Sequence, residues 1–360
     1  MAARVRCPIC LNTVDWARAQ IVTMNADGRP EPLVRGMDED EVSWNHRTLD
    51  AYRLCEGGGG EPHVLPGRYG DFGDPLVIGV VGESAAGKSH LLAAMLGTLS
   101  DADRMARLGL SVGGLDLKLH QRYLRDVVRP FLDQGQGLRG TPAQPPEFTD
   151  ALWIHNRHTG RSFAVAFFDV SGEWLANHDA EVPFLGAVSA LVFVVDPTRI
   201  RGLTTAADGG VVGDPSFGVV LDKIGRLRGV DGAEFLPLPA AVVIGKCDLL
   251  RHHESLVDRW FRNASPDEEL DLRTVEAESE DAYAFLSSRG ARGWLAPFVR
   301  CAHSTLHFAT ATGHKAVDAD GAQRSPHGSF APRRTLKPML ALFAMCGVLG
   351  PTDLGQGAAG

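Results

Sequence analysis

Lysine is scarce in this sequence, only six among 360 residues, and no run of Lys and Arg in it is long. With a net charge of −8 and a pI of about 5.9, this excludes a protein devoted to neutralising nucleic-acid phosphates. Nucleic acid is not indicated as a partner. Long apolar runs are missing too. The two longest, LVFVVD from Leu191 and MLALFAMCGVL from Met339, fall short of the roughly 18 residues that cross a bilayer, so no direct membrane span is expected. The opening MAARVRCPIC lacks the apolar stretch of a secretory signal, and the expected compartment is the reducing cytoplasm. Cysteines number six, and disulfides are not expected there. Cys247, Cys301 and Cys346 lie in or beside apolar runs and read as small buried hydrophobes.

What is present changes character along the chain. Residues 1–70 are polar, carry Trp16, Trp44 and Tyr52 without sustained periodicity, and approach their end through the glycines of 57–60. Such a segment cannot fold by burial alone. From Pro75 onward, short β-rich runs alternate with helical patterns: PLVIGVV, ALWIHN, SFAVAFFD, SALVFVVD, AAVVIG and APFVRCA. This alternation predicts a mostly parallel six-stranded sheet with helices on both faces. Leu91, Leu92, Met95, Leu96 and Leu99 form one apolar stripe, and Leu117, Leu124, Val127, Val128 and Phe131 another. Residues 101–150, 198–236 and 251–293 read as insertions or long crossovers. The expected organisation is an N-terminal module over 1–70, an α/β domain over 71–350 and a flexible tail over 351–360.

Residues 82–89, GESAAGKS, fit G-x-x-x-x-G-K-[ST] between a strand and an amphipathic helix. Glycines let the backbone wrap a phosphate with its N–H groups, and the helix N-terminus adds partial positive charge. Gly82, Glu83, Ser84, Ala85, Ala86, Gly87, Lys88, Ser89 and His90 are the expected contacts. Lys88 would reach the β- and γ-phosphates, and Ser89 would ligate Mg²⁺. In FFDVSGE, Asp169 ends a strand and can hold Mg²⁺ through water, while the Gly172 N–H can contact a γ-phosphate. GKCD, residues 245–248, follows the strand AAVVI.

Together these motifs resemble the translation-factor and Ras-like (TRAFAC) class of P-loop GTPases, whose base-recognition motif is [NT]-K-x-D. The resemblance implies a Ras-like fold, with Asp248 accepting from guanine N1–H and its exocyclic amine and the Lys246 stem lying along the purine. Gly245 departs from the motif and removes a side chain that braces this loop. The resemblance also places Cys301-Ala302-His303 at the last base-binding loop, with the Ala302 N–H on guanine O6; a core strand end is the plain alternative. It makes Thr141 the Mg²⁺-sensing threonine, with Thr149 in reserve and a turn cap as the alternative. Glu173 takes the place from which the attacking water is oriented. A carboxylate there repels γ-phosphate charge, so slow turnover is expected. Arg139 lies in the segment that would approach the γ-phosphate, although a solvated role serves it as well.

The order of GVVGESAAGKSHLLAAML, RYLRDVVRPFL, FFDVSGEWL and SALVFVVDPTRI is similar to the bacterial double-GTPase proteins, second subfamily. That likeness spans roughly residues 76–348. It implies a GTP/GDP-dependent molecular switch acting on a protein effector or activator encoded in the same multi-gene bacterial system. An ATP-using P-loop NTPase of another class and a non-hydrolysing nucleotide-bound scaffold are the rival readings. In the N-terminal module, Cys7 and Cys10 form a C-x-x-C knuckle, which in a reducing compartment points to metal. Cys55 and His63, with His46 as a substitute, complete a zinc-ribbon-like structural Zn²⁺ set; a redox-inert pair is the alternative.

Overall fold

The computed structural model describes residues 4–57, 60–138, 148–170, 183–203, 211–230, 234–262, 269–313, 317–319, 322–324, 331–350 and 353. The N-terminal region is built from two small sheets. Strands β1 (Arg4–Arg6) and β2 (Thr13–Asp15) pair as an antiparallel hairpin. Strands β3 (Ile21–Met24), β4 (Pro30–Pro32), β5 (Tyr52–Cys55) and β6 (His63–Pro66) form an antiparallel sheet of order β4-β3-β5-β6. The helix Glu41–Leu49 between them, capped by the Asp40 carboxylate, buries no residue.

Among the described residues seven strands, not six, make the main sheet. In chain order they are β7 (Leu76–Val81), β8 (Leu110–Gly114), β9 (Asp150–Asn156), β10 (Arg161–Asp169), β11 (Ala190–Val195), β12 (Leu236–Ile244) and β13 (Cys301–Phe308), arranged β13-β12-β11-β7-β10-β9-β8. The five strands from β13 to β10 run parallel, and β9 runs antiparallel to both β10 and β8. The sheet is therefore mixed. Strand β8, LSVGG, escapes a sequence reading because it is a half-exposed edge strand with one buried residue. APFVRCA is corrected as well: Ala296–Arg300 is a short helix with Pro297 in its first turn, and the strand begins only at Cys301.

Alternate side chains of β7 serve two cores. Val77 and Val81 join Phe168, Phe193 and the helix Pro215–Arg228 on one face, where the N-terminal module also packs. Ile78 and Val80 join the helices Lys88–Leu99 and Lys337–Met345 on the other. The first predicted helical stripe is buried in full. The second is divided: the helix Leu117–Tyr123 passes through a π-turn over Leu124–Val128 into Arg129–Gln134, with Leu117 exposed. Pro130 sits just past that turn and has no N–H to return to residue 126, which the wider turn accommodates. No helix among the described residues is long and apolar enough to cross a membrane.

Candidate functional site

The C-terminal ends of the parallel strands carry the motif residues. Where β7 stops, Gly82 turns at φ 155°, and a Cβ there would lie 2.7 Å from the Val194 carbonyl oxygen, so only glycine fits. Ala85 (φ 62°) and Gly87 (φ 96°) complete the loop, and Gly87 caps the helix Lys88–Leu99. Lys88 is 5% exposed, and its Nζ donates to the carbonyls of Gly82 and Glu83, each at 2.8 Å. The loop thus closes around an ammonium group. Ser89 Oγ donates to Asp169 Oδ2 at 2.5 Å, which joins the helix start to the end of β10. A hydroxyl and a carboxylate so placed are a donor pair suited to a hard divalent cation. Glu83 pairs with Arg199, and burial, then the nearby Asp214 charge, raise its carboxyl above the usual range.

The end of β12 forms the second wall. The Gly245 N–H donates to Val195 O at 3.0 Å, and a Cβ on Gly245 would sit 3.6 Å from the Ala86 carbonyl oxygen, in ordinary contact. Lys246 takes φ 48°, donates from Nζ to Asp196 Oδ2 at 2.7 Å, and brings its Cε within 3.9 Å of where a Gly87 Cβ would be. Its stem therefore lies beside the 82–89 loop. Asp248 is 9% exposed, and its Oδ1 accepts from Thr310 Oγ1 at 2.5 Å. The Thr310 hydroxyl accepts in turn from the Gly313 N–H at 2.9 Å, and the Cys247 N–H donates to Ala309 O at 3.2 Å.

Residues 309–313 therefore form the loop that meets Asp248. Ala302 does not: it sits exposed at the start of β13, roughly 20 Å of strand away. The sequence sign that marks this loop is ATATG, small and polar residues directly after the apolar end of β13. Asp196 and Arg199 escape a sequence reading, because only the fold brings them beside Lys246 and Glu83. Thr149 is engaged in the sheet, donating from N to Phe167 O at 2.8 Å and accepting at Oγ1 from the Asp169 N–H at 2.9 Å. Thr141, Gly172, Glu173 and Arg139 lie outside the described residues.

His90 follows Ser89 and lies edge-on to Phe131, with ring centroids 5.0 Å apart. Its Nε2 accepts from the Leu138 N–H at 3.0 Å, which assigns the ring proton to Nδ1. Burial, then the Lys246 charge, depress its pKa to about 4. It is a neutral acceptor at neutral pH.

A separate cluster forms in the N-terminal module. Cys7 and Cys10 project from the turn after β1, Cys55 ends β5, and His63 begins β6 directly opposite Cys55. Their donor atoms all lie within 4.8 Å of one another, with Cys10 Sγ 3.6 Å from Cys55 Sγ and Cys7 Sγ 3.9 Å from His63 Nδ1. Zn–S bonds of about 2.3 Å set tetrahedral ligands about 3.8 Å apart, so the geometry fits a Cys₃His metal site and no disulfide. Burial pushes the Cys7 and Cys55 thiols up, so a divalent cation is what would let them ionise. His46, the substitute ligand, belongs to the helix Glu41–Leu49 and not to this cluster.

No protein-family profile matches the chain, and no curated protein does. Among solved structures it is similar to the GTPase-like domain of Ski7 from S. cerevisiae bound to GTP, and to the same domain bound to GDP and inorganic phosphate. In each case identity is 12% and the TM-score 0.33. The match covers 77% of this chain and 50% of the other, so the chain spans half the length of the structures it matches.

Proposed function

We propose that the chain is a guanine-nucleotide-binding switch that hydrolyses GTP slowly with Mg²⁺ and couples its nucleotide state to a protein partner. The observation that carries this reading is the juxtaposition of the 82–89 loop with Asp248. A buried carboxylate, steered by Thr310 and separated from the phosphate loop by the Lys246 stem, suits the two donors of a guanine edge. Adenine has no such pair. Lys88 would exchange its two loop carbonyls for β- and γ-phosphate oxygens, and Ser89 and Asp169 would hold Mg²⁺, directly and through water. The metal would supply charge neutralisation on the phosphates. Glu173, which the resemblance assigns to orienting the attacking water, would keep turnover slow by repelling γ-phosphate charge.

The test is competition for a fluorescent GDP analogue. GTP and GDP should displace it, and ATP should be at least 100-fold weaker. Lys88→Ala should abolish binding, and Asp248→Asn should shift preference from guanine to xanthine nucleotides. Equal competition by ATP, or full affinity in Lys88→Ala, refutes the assignment.

A further inference from the structure

The N-terminal module shares a packed core with Phe168 at the end of β10 and with Cys247 of the 245–248 turn. The knuckle that presents Cys7 and Cys10 closes with the Leu11 N–H on Cys7 O at 2.9 Å, and Leu11 takes φ 64°. Its side chain rests on Gly186 so closely that a Cβ there would fall 2.7 Å from Leu11 Cδ1. Arg6, one residue before Cys7, donates from its guanidinium to Gly186 O at 3.3 Å. The knuckle thus grips the helix Phe184–Ala187.

From that helix a line of aromatic rings leads back into the module. Phe184 stacks on Phe168 at 5.3 Å between centroids, Phe168 meets Phe148 at 5.0 Å, Phe148 meets Tyr69 at 5.9 Å, and Tyr69 meets Trp16 at 6.4 Å. Tyr69 and Trp16 are both fully buried. Phe168 immediately precedes Asp169, the carboxylate on Ser89, and Phe148 precedes Thr149, whose hydroxyl holds the Asp169 N–H. The metal cluster, the ring line and the base of the phosphate loop are therefore one contiguous contact path.

We propose that metal occupancy of the Cys7, Cys10, Cys55 and His63 cluster regulates the nucleotide site, through the seating of Leu11 and Arg6 on Gly186 and of Tyr69 on Phe148. The proposal rests on the guanine-nucleotide reading given above. Ile9, Cys10 and Leu11 of the knuckle are only partly buried, so a metal held by Cys7 and Cys10 would fix the turn that carries Leu11 relative to the sheet. Close-packed rings do not deform smoothly; they hold one arrangement or change to another. Coupling between two binding equilibria is reciprocal, so nucleotide must change zinc affinity by the factor by which zinc changes nucleotide affinity.

The full chain is loaded with Zn²⁺, and zinc affinity is measured against a chromogenic chelator with no nucleotide, with GDP and with a non-hydrolysable GTP analogue. Affinity for a fluorescent GDP analogue is measured with and without zinc. The expected result is a change on the order of tenfold in zinc affinity between nucleotide states, with the same factor in GDP affinity on zinc removal. Leu11→Gly keeps all four donors and suits the positive φ; it should bind one zinc per chain and lose most of the coupling. Zinc affinity that is equal in all three states, coupling that is undiminished in Leu11→Gly, or a chain that takes up no zinc overturns the proposal. A chain that binds zinc but no guanine nucleotide sinks the functional reading as well, whereas nucleotide binding that ignores zinc sinks the coupling alone.

Discussion

His90 shows how one side chain next to the 82–89 loop acquires a pH signature. Its Nε2 accepts the Leu138 N–H, so protonation would set a donor against a donor. The folded protein holds its pKa near 4, against 6.5 for the free side chain. Above pH 6.5 both folded and unfolded states carry it neutral, and the full contribution is present. As pH falls from 6.5 toward 4 the unfolded chain takes up the proton and the folded chain does not, so stability is lost over that window, by at most about 3 kcal/mol. His90→Gln retains an acceptor without the titration. Denaturant unfolding at pH 7.5 and 4.5 should therefore show the wild type losing about 2 kcal/mol more than the variant; parallel losses would show that the ring is not held neutral.

At the scale of elements, β13 depends on a buried charge network that also sets the Asp248 loop. Glu278, on the helix Leu272–Ser288, accepts from the Phe308 N–H at 2.9 Å and meets His307 Nδ1 at 3.0 Å and Arg334 at 2.8 Å. Burial alone would raise its carboxyl, but His307 and Arg334 together hold it below the usual range. Arg334 also donates to Phe308 O at 3.2 Å, two residues before Thr310. Glu278→Gln leaves Arg334 buried without its counter-charge and should cost about 3 kcal/mol in denaturant unfolding, most of it regained in Glu278→Leu with Arg334→Met. A loss under about 1 kcal/mol would mean that the network carries little stability. The same network explains what sequence could and could not reveal. Strands β7, β10, β11 and β12 were legible because both faces are buried and the runs are nearly all apolar. HSTLHF in β13 reads as polar, since His307 is buried only by virtue of Glu278, far away in the chain. The apolar run APFVRCA therefore points to a strand that starts too early, and it draws the eye away from Thr310. The spacing of Cys7 and Cys10 marks the knuckle, and Cys55 and His63, which the sequence offers as the remaining ligands, are carried to it by the β5–β6 register.

Across the whole molecule, the composition change near residue 70 does not correspond to a loose linker. A Cβ on Gly70 would fall 2.4 Å from Val5 Cγ2 and 2.6 Å from the Trp16 ring, so the chain passes beneath the module with no space to spare. Tyr52 Oη donates to Asp116 Oδ2 at 2.7 Å, tying the second small sheet to the start of the helix Leu117–Tyr123. Trp16 Nε1 donates to Asp71 Oδ1 at 3.0 Å across the same junction. Gly70→Val should break this seating while leaving all four cluster donors in place, at a cost of about 1–3 kcal/mol from overpacking. Limited proteolysis checks it: the variant should be cut near residue 70 at least tenfold faster than the wild type, with one zinc per chain retained by elemental analysis. If the cutting rate is unchanged, the two parts are not held by that junction, and the proposed coupling is left to the seating of Leu11 and Arg6 on Gly186.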